Sequence, residues 1–366
     1  MIKVNLYILL IFFLFFIIIF FPLVIKSQVW IDEILDAEPA YNLAFKGKLS
    51  LDVLGGRYHT DKICYIRPPV YPFVLSQFYK IFGFKRWVTL SLSLMPGIVS
   101  FSLTYIITFL FFKSIVISIL SYFLFALSPL GIYIAKANRG DALALFLYIL
   151  SLNLLFIYSN KKEYFYKTLL LLSCGLSFSI STQTYQLYSL LLPSFLYYFF
   201  TQSRRQSKSC FKEVSIFLLS FMIPFTLWLG LILKDFQSFK EQILYNFFVA
   251  TNFNKLNSSS LFSFNIKSIL SDPAYFTLLF ILISVLFTTK KYPLYRNIFI
   301  GFIVLPIFIL FLFNLLKGYY IQIILPLGFV AGGVFIYHIY KLVLIKNNIF
   351  SRFILYFFFL FIFFMD

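Results

Sequence analysis

The chain has 366 residues, of which 61% are hydrophobic and only 12% are charged, and its formal net charge is +18. A soluble domain carries about twice this charged fraction, so the composition excludes a soluble fold and indicates an integral membrane protein. The basic residues lie in short loops between apolar runs, so the positive charge indicates membrane lipids, not nucleic acid, as its partner.

The first apolar run, residues 6–25, is long enough to cross a bilayer and lacks the short apolar core and cleavage site of a secretory signal. We therefore expect a retained first helix. Polar Gln183 and Tyr185 interrupt the run 168–200, which predicts two helices joined by a turn. The further apolar runs cover residues 87–112, 114–134, 141–158, 168–200, 214–233, 273–289, 297–316, 320–340 and 349–365. The sequence thus predicts an all-α polytopic membrane protein with about 11 transmembrane helices.

The loops between these runs alternate in charge. Basic loops around residues 113, 161–167, 204–212, 290–296 and 341–346 are predicted to be cytoplasmic. The opposite, non-cytoplasmic side then receives two long segments, residues 26–86 and 234–272. We expect a single membrane domain over residues 1–366, with the catalytic loop and its interfacial helices in 26–86 and with no soluble C-terminal domain.

The first outer segment contains an unusual concentration of acids. Residues 26–67 hold six of the 13 acidic residues and are too long for an ordinary connector, which indicates a function. Pro39 suits a first helical position and Gly47 a helix end, so a short interfacial helix is predicted over residues 39–46. Asp32 and Glu33 would then lie in the turn before it. Residues 69–84 fit either another interfacial helix or the start of the next span.

Two motifs of this segment carry groups suited to catalysis. Asp32 and Glu33 follow the first span, where a carboxylate can act as a general base or merely cap a helix. Arg67-Pro68-Pro69 holds an arginine in an extended entry at the interface, where its guanidinium can bind a phosphate or anchor to lipid headgroups.

A third motif, Arg139-Gly140-Asp141, lies at the start of a later span on the same side. Arg139 there suits a donor phosphate or an ion pair with Asp141, and Asp141 itself suits a helix N-terminus. Weaker candidates are polar or aromatic groups at the same rim, for which an interfacial belt is the alternative. They are Gln183, Tyr185, Lys317, Tyr319 and Tyr320. The three cysteines show no metal-ligand or disulfide spacing, and His59 with Asp61 is weak evidence for a metal site.

In their order and common side, the three motifs, with Tyr71 after the Pro-Pro pair, resemble the C-type membrane glycosyltransferase superfamily. They are most similar to its protein O-mannosyltransferase and aminoarabinose-transferase group. The resemblance implies a polyprenyl-phosphate-linked sugar donor and an acceptor lipid, glycan or protein. It places the reaction on the outer face of a bacterial plasma membrane, in the synthesis of cell-envelope glycans or in glycosylation.

The resemblance also assigns roles to residues. Asp32 would deprotonate the acceptor with Glu33 assisting, and Arg67 and Arg139 would neutralise the departing phosphate. Orienting or acceptor-contacting roles would fall to the remaining candidates, Asp141, Tyr71, Gln183 and Tyr185. Some relatives carry an acid before the basic residue of the Pro-Pro motif, where it helps to hold a metal. Here that residue is Ile66, which weakens the case for a divalent metal, and no other cofactor is expected.

Two rival functions stay open at this point. A transporter or flippase of lipid-linked oligosaccharides should place its ionisable groups near the membrane midplane, in broken helices. The groups of this chain lie at one rim, which favours an enzyme. A non-catalytic protein that binds lipid-linked sugars would use the same groups as the enzyme.

Overall fold

The computed structural model of the chain describes residues 2–26, 31–136, 139–160, 163–206, 211–251, 273–312 and 318–346. Within these ranges the regular structure is entirely helical, which confirms the predicted all-α class. The helices are α1 (Ile2–Lys26), α2 (Ile31–Phe45), α3 (Val70–Phe82), α4 (Arg86–Phe112), α5 (Ile115–Ala126), α6 (Pro129–Lys136), α7 (Gly140–Asn160), α8 (Tyr164–Thr184), α9 (Leu192–Gln206), α10 (Phe211–Lys234), α11 (Phe236–Thr251), α12 (Pro273–Lys291), α13 (Arg296–Phe299), α14 (Leu305–Leu312) and α15 (Leu325–Lys346).

Five helical stretches in the described ranges are long and apolar enough to cross a membrane, and a bent pair brings the number to six. They are Arg86–Phe112, Gly140–Asn160, Phe211–Lys234, Pro293–Leu312 and Tyr320–Leu342, with the pair Ile115–Ala126 and Pro129–Lys136. The number of about 11 stays a prediction, because the predicted span 349–365 lies outside the described residues.

Two predicted runs are interrupted. The run 168–200 forms two helices, as predicted, because α8 ends at Thr184 and a 3₁₀ segment, Gln186–Leu191, precedes α9. The run 114–134 was predicted as one span, but it bends by 64° between α5 and α6. Pro129 begins α6 and cannot donate a backbone hydrogen bond, and the Ser128 hydroxyl accepts from the Gly131 N–H at 3.0 Å.

Helix α7 lies at the centre of the bundle and packs against α4 and α8. Helix α8 in turn packs against α10, and α4 packs against α1 and α5. Helices α2 and α3 form a separate layer, in which Ala40, Tyr71, Leu75 and Tyr79 are buried together with Val88 of α4. This layer covers the end of the bundle where α4 and α7 begin.

The prediction of a helix over residues 39–46 was wrong in its start. Helix α2 begins at Ile31 and includes Pro39 as an interior residue, so Asp32 and Glu33 lie in its first turn. The face formed by Glu33, Asp36 and Ala40 is buried, and packing of this face against α3 outweighs the local preference of proline for a helix start.

Residues 69–84 contain a helix of their own and are not the start of the next span. Helix α3 ends at Gly83, whose φ of 79° is easily adopted only by glycine, and α4 begins at Arg86. With 13 residues, α3 is too short to cross a bilayer.

The rest of the first loop is fixed to α2 by polar side chains. The Asn42 amide donates to the Ser50 carbonyl oxygen at 3.1 Å. The Glu38 carboxylate accepts from the backbone N–H groups of Asp52 and Val53 at 3.0 and 3.2 Å. These bonds make the loop an ordered part of the site's surroundings.

We expect the close contact between α8 and α10 to tolerate no side chain at Gly175. A Cβ atom there would lie 2.6 Å from the Phe217 carbonyl oxygen of α10, and backbone cannot move aside as a side chain can. Gly175→Ala should lower stability by about 1–3 kcal/mol, which a thermal unfolding scan of the detergent-solubilised protein would detect. Gly230→Ala on α10 is the matched control, because its Cβ meets nothing within 4 Å. Equal midpoints for both variants would contradict this packing.

Candidate active site

Helix α2 presents its acids along one face. Glu33 and Asp36 are both buried, and with Ala40 they follow the three- and four-residue spacing of a helix face. Electrostatic interactions with Glu33 and Asp36 reach Tyr71 on α3. Asp32 lies in the first turn of the same helix, and its side chain is outside the described residues.

Arg67 pairs with Asp36. Its Nε atom lies 2.8 Å from Asp36 Oδ1, and the two side chains are only 13% and 7% exposed. Pro68 and Pro69 follow directly, and α3 begins at Val70. The prolines restrict the backbone at this point, so the guanidinium is held against α2 and does not extend into solvent.

Arg139 is held at the start of α7 by backbone and side-chain bonds. The Ser93 hydroxyl of α4 bonds to both the N–H and the carbonyl oxygen of Arg139, at 3.2 Å each. The guanidinium Nε lies 3.2 Å from Asp141 Oδ2, and Nη1 donates to the Tyr133 hydroxyl at 3.1 Å. The pair is almost completely buried, with 4% and 2% exposure.

Asp36 joins the two arginine motifs. While Oδ1 pairs with Arg67, Oδ2 accepts from the backbone N–H of Gly140 at 3.4 Å, at the positive end of α7. Space at that position is tight, because a Cβ would lie 3.1 Å from the Thr184 carbonyl oxygen and 3.3 Å from Tyr71 Cβ. One carboxylate therefore bridges residues that are far apart in the sequence.

The cluster brings together two guanidinium groups and three buried carboxylates, those of Glu33, Asp36 and Asp141. Two of these carboxylates form ion pairs, Asp36 with Arg67 and Asp141 with Arg139, and pairing offsets the cost of burying a charge. An arginine presents its five N–H donors in a fixed planar fork, so a pair through Nε sets the orientation of the whole guanidinium. The arrangement is chemically suited to recognising a phosphate at a site with little water.

Other predicted residues lie around or away from this cluster. Tyr71 is buried on α3 and forms a hydrogen bond with Ser93, and Tyr185 interacts electrostatically with Arg139. Gln183 is buried in α8 and donates to the Ser179 hydroxyl at 3.2 Å, so its amide is used within its own helix. Tyr320 packs at the edge of the main core.

Two predicted residues and the metal question need separate statements. Lys317 and the Tyr319 side chain lie outside the described residues. Within the described part of the chain, no three His, Cys, Asp or Glu side chains converge to hold a metal ion.

Sequence reasoning did not single out Asp36, which is one of the six acids of residues 26–67. The signal was present, because Glu33, Asp36 and Ala40 have the spacing of one helix face. The helix was predicted to begin at Pro39, and this start placed Asp36 in a turn and hid the pattern.

We expect Asp36→Asn to destabilise the protein by about 3 kcal/mol, because it leaves the buried Arg67 charge without its carboxylate. The matched change is Asp52→Asn, which breaks the exposed Lys46–Asp52 pair, 3.0 Å long and about half exposed. That change should leave thermal stability at the wild-type value. A similar loss in both variants, measured by thermal aggregation in detergent, would show that the Asp36 pair has no special role.

A cavity of about 210 Å³ lies at the other ends of α4 and α7, where Phe111, Ser159 and Tyr198 contribute to its wall. Helix α7 rises about 1.5 Å per residue, so Ser159 is roughly 28 Å from Gly140. The cluster of buried ion pairs, and not this cavity, contains the predicted site residues.

Comparison with protein families gives one match. Residues 66–228 match the family described as dolichyl-phosphate-mannose-protein mannosyltransferase. The matched region contains Arg67, Arg139 and Asp141 and begins after the acids of α2. No curated protein sequence matches the chain.

Two solved structures share the fold. ArnT from Cupriavidus metallidurans in the apo state aligns with a TM-score of 0.60 and 14% identity, over 88% of this chain and 58% of that one. The same protein bound to undecaprenyl phosphate aligns with a TM-score of 0.60 and 15% identity, over 90% and 59%. This chain therefore spans less than two thirds of the length of the structures that it matches.

Proposed function

We propose that this chain transfers a sugar from a polyprenyl-phosphate donor to an acceptor. The proposal starts from the resemblance to the C-type membrane glycosyltransferase superfamily, which the family match and the fold confirm. The observation that carries the proposal is the buried cluster in which Asp36 joins the Arg67 and Arg139 motifs. Two guanidinium groups at one rim of the bundle suit a phosphate leaving group, where negative charge develops during transfer.

The proposed reaction divides the work among the residues of the cluster. The bond between the anomeric carbon and the phosphate oxygen breaks, and a bond to the acceptor oxygen forms. Arg67 and Arg139 neutralise the departing phosphate, and Asp32 takes the proton when the acceptor is a hydroxyl group. Asp36 is engaged by Arg67 and by the Gly140 N–H, so we assign it the positioning of Arg67 and not proton transfer.

The donor class has independent support. One of the two matching ArnT structures contains undecaprenyl phosphate, a polyprenyl phosphate. We extend this ligand class to the present chain as part of the proposal. The outer face of the bacterial plasma membrane, and a lipid, glycan or protein acceptor, complete it.

The direct test is incubation of the purified protein with labelled polyprenyl-phosphate hexoses and pentoses and a membrane extract, followed by isolation of the labelled product. We expect label to move to an acceptor only with wild-type protein, and not with the Arg67→Ala/Arg139→Ala variant. Donor that crosses vesicle membranes without being consumed would indicate a flippase instead. Donor that binds but yields no product with any acceptor fraction would indicate a non-catalytic binding protein.

A further inference from the structure

Gln242 of α11 is fully buried against the first loop, and its side chain makes four hydrogen bonds to that loop's backbone. Its Oε1 accepts from the N–H groups of Tyr65 and Ile66, at 2.6 and 3.3 Å. Its Nε2 donates to the carbonyl oxygens of Tyr58 and Ile63, both at 2.9 Å. A single amide thus satisfies two backbone donors and two backbone acceptors of this loop.

The position of these bonds relates them to Arg67. Tyr65 and Ile66 are the two residues directly before Arg67, so Gln242 fixes residues 63–67, here called the Arg67 segment, from which the guanidinium extends. Tyr65 adds a second attachment, because its hydroxyl donates to the Leu231 carbonyl oxygen at 2.9 Å. In the same segment, the Cys64 N–H donates to the Leu49 carbonyl oxygen at 2.7 Å.

Gln242 also holds a strained part of the loop. Tyr58 and His59 have φ angles of 55° and 58°, in the left-handed region that residues other than glycine rarely adopt. Such a conformation persists only where surrounding contacts impose it. The bond from Gln242 to the Tyr58 carbonyl oxygen is one of those contacts.

We infer that Gln242 is a positioning residue that holds the Arg67 segment in the conformation needed for donor binding and couples this segment to α11. The four bonds hold the Arg67 segment, and the donor phosphate is the group that a correctly positioned Arg67 would bind. The inference rests on the proposed function for this last step only. It makes recognition of the donor phosphate depend on α11, which belongs to the second outer segment and contains none of the predicted site residues.

Cys64 reports on the conformation of the Arg67 segment, and this readout does not depend on enzymatic activity. It is 1% exposed, and burial raises the pKa of its thiol to about 11. An impermeant thiol reagent should therefore react slowly with Cys64 in a Cys174→Ser/Cys210→Ser background. Release of the Arg67 segment would expose the thiol and lower its pKa, and both changes accelerate labelling.

The informative variant is Gln242→Met, which keeps the length and volume of the side chain and removes all four bonds. Each net hydrogen bond is worth roughly a factor of five in a local opening equilibrium, so Cys64 should be labelled at least about tenfold faster. Gln237→Met is the matched control on the same helix. Gln237 is exposed and donates to the Glu241 carboxylate of the same helix, so its loss should leave the labelling rate unchanged.

A double-mutant cycle tests whether Gln242 acts through Arg67. Gln242→Met should weaken binding of sugar-free polyprenyl phosphate about tenfold in the wild-type background and leave binding unchanged in Arg67→Ala. Wild-type labelling of Cys64 in Gln242→Met would overturn the inference, as would equal weakening in both backgrounds. A wild-type protein that binds no polyprenyl phosphate would overturn the proposed function. The labelling rates of Cys64 would still decide whether Gln242 holds the Arg67 segment.

Discussion

An Arg139→Lys variant is expected to transfer sugar about 10²–10³-fold more slowly than the wild type, because a preorganised donor to the developing charge is lost. Arg139 uses the shape of its guanidinium, since Nε faces Asp141 while Nη1 reaches the Tyr133 hydroxyl. The compact ammonium group of lysine keeps the charge but cannot make both contacts and also present a fork to phosphate.

Initial rates of transfer, with donor affinity measured separately, would test this expectation. Arg86→Lys is the matched control, because Arg86 is exposed at the start of α4 and donates to the Ile25 carbonyl oxygen at 3.1 Å. Its replacement should leave transfer near the wild-type rate. If Arg139→Lys and Arg86→Lys behave alike, Arg139 contributes only charge at the membrane surface.

Local signals predicted much of the helical framework. The polar residues around Tyr185 divided a long apolar run, and α8 ends within two residues of that position. The fold class and the Arg139-Gly140-Asp141 motif at a helix start were likewise readable, because hydropathy and capping preferences act over a few residues.

The start of α2 and the role of Asp36 were not predicted, because both depend on contacts between distant segments. Pro39 suits a helix start in isolation, but packing of the buried face of α2 against α3 extends the helix back to Ile31. Asp36 acquires its partners only when Arg67 and Gly140 are brought together by the fold.

Gln242 shows the same limit more strongly. In the sequence it is an ordinary polar residue of an outer segment, and its partners are backbone atoms of a loop nearly two hundred residues earlier. Backbone groups carry no sequence signature of such a bond. Only the tertiary arrangement reveals that the amide is fully buried and makes four bonds.

The largest expected effect belongs to Asp32, the proposed base, in the first turn of α2. Asp32→Asn keeps the size of the side chain but cannot accept a proton, so transfer to a hydroxyl acceptor should fall by about 10²–10⁴-fold. Donor affinity should stay at the wild-type value, because the arginines are untouched. The measurement is single-turnover transfer with saturating donor, beside Asp61→Asn, which alters an exposed acid of the same outer segment and should transfer normally.

The helix-capping alternative for Asp32 makes the opposite prediction. Asparagine caps a helix about as well as aspartate, so a capping role would leave both stability and transfer unchanged in Asp32→Asn. Glu33 is buried beside it, and Glu33→Gln should slow transfer less if Asp32 alone takes the proton. Similar losses in both variants would instead indicate that the two carboxylates share the role, since closely coupled acids titrate as a pair. Normal transfer in Asp32→Asn, at normal stability, would remove the base assignment and leave Asp32 with a structural role in the first turn of α2.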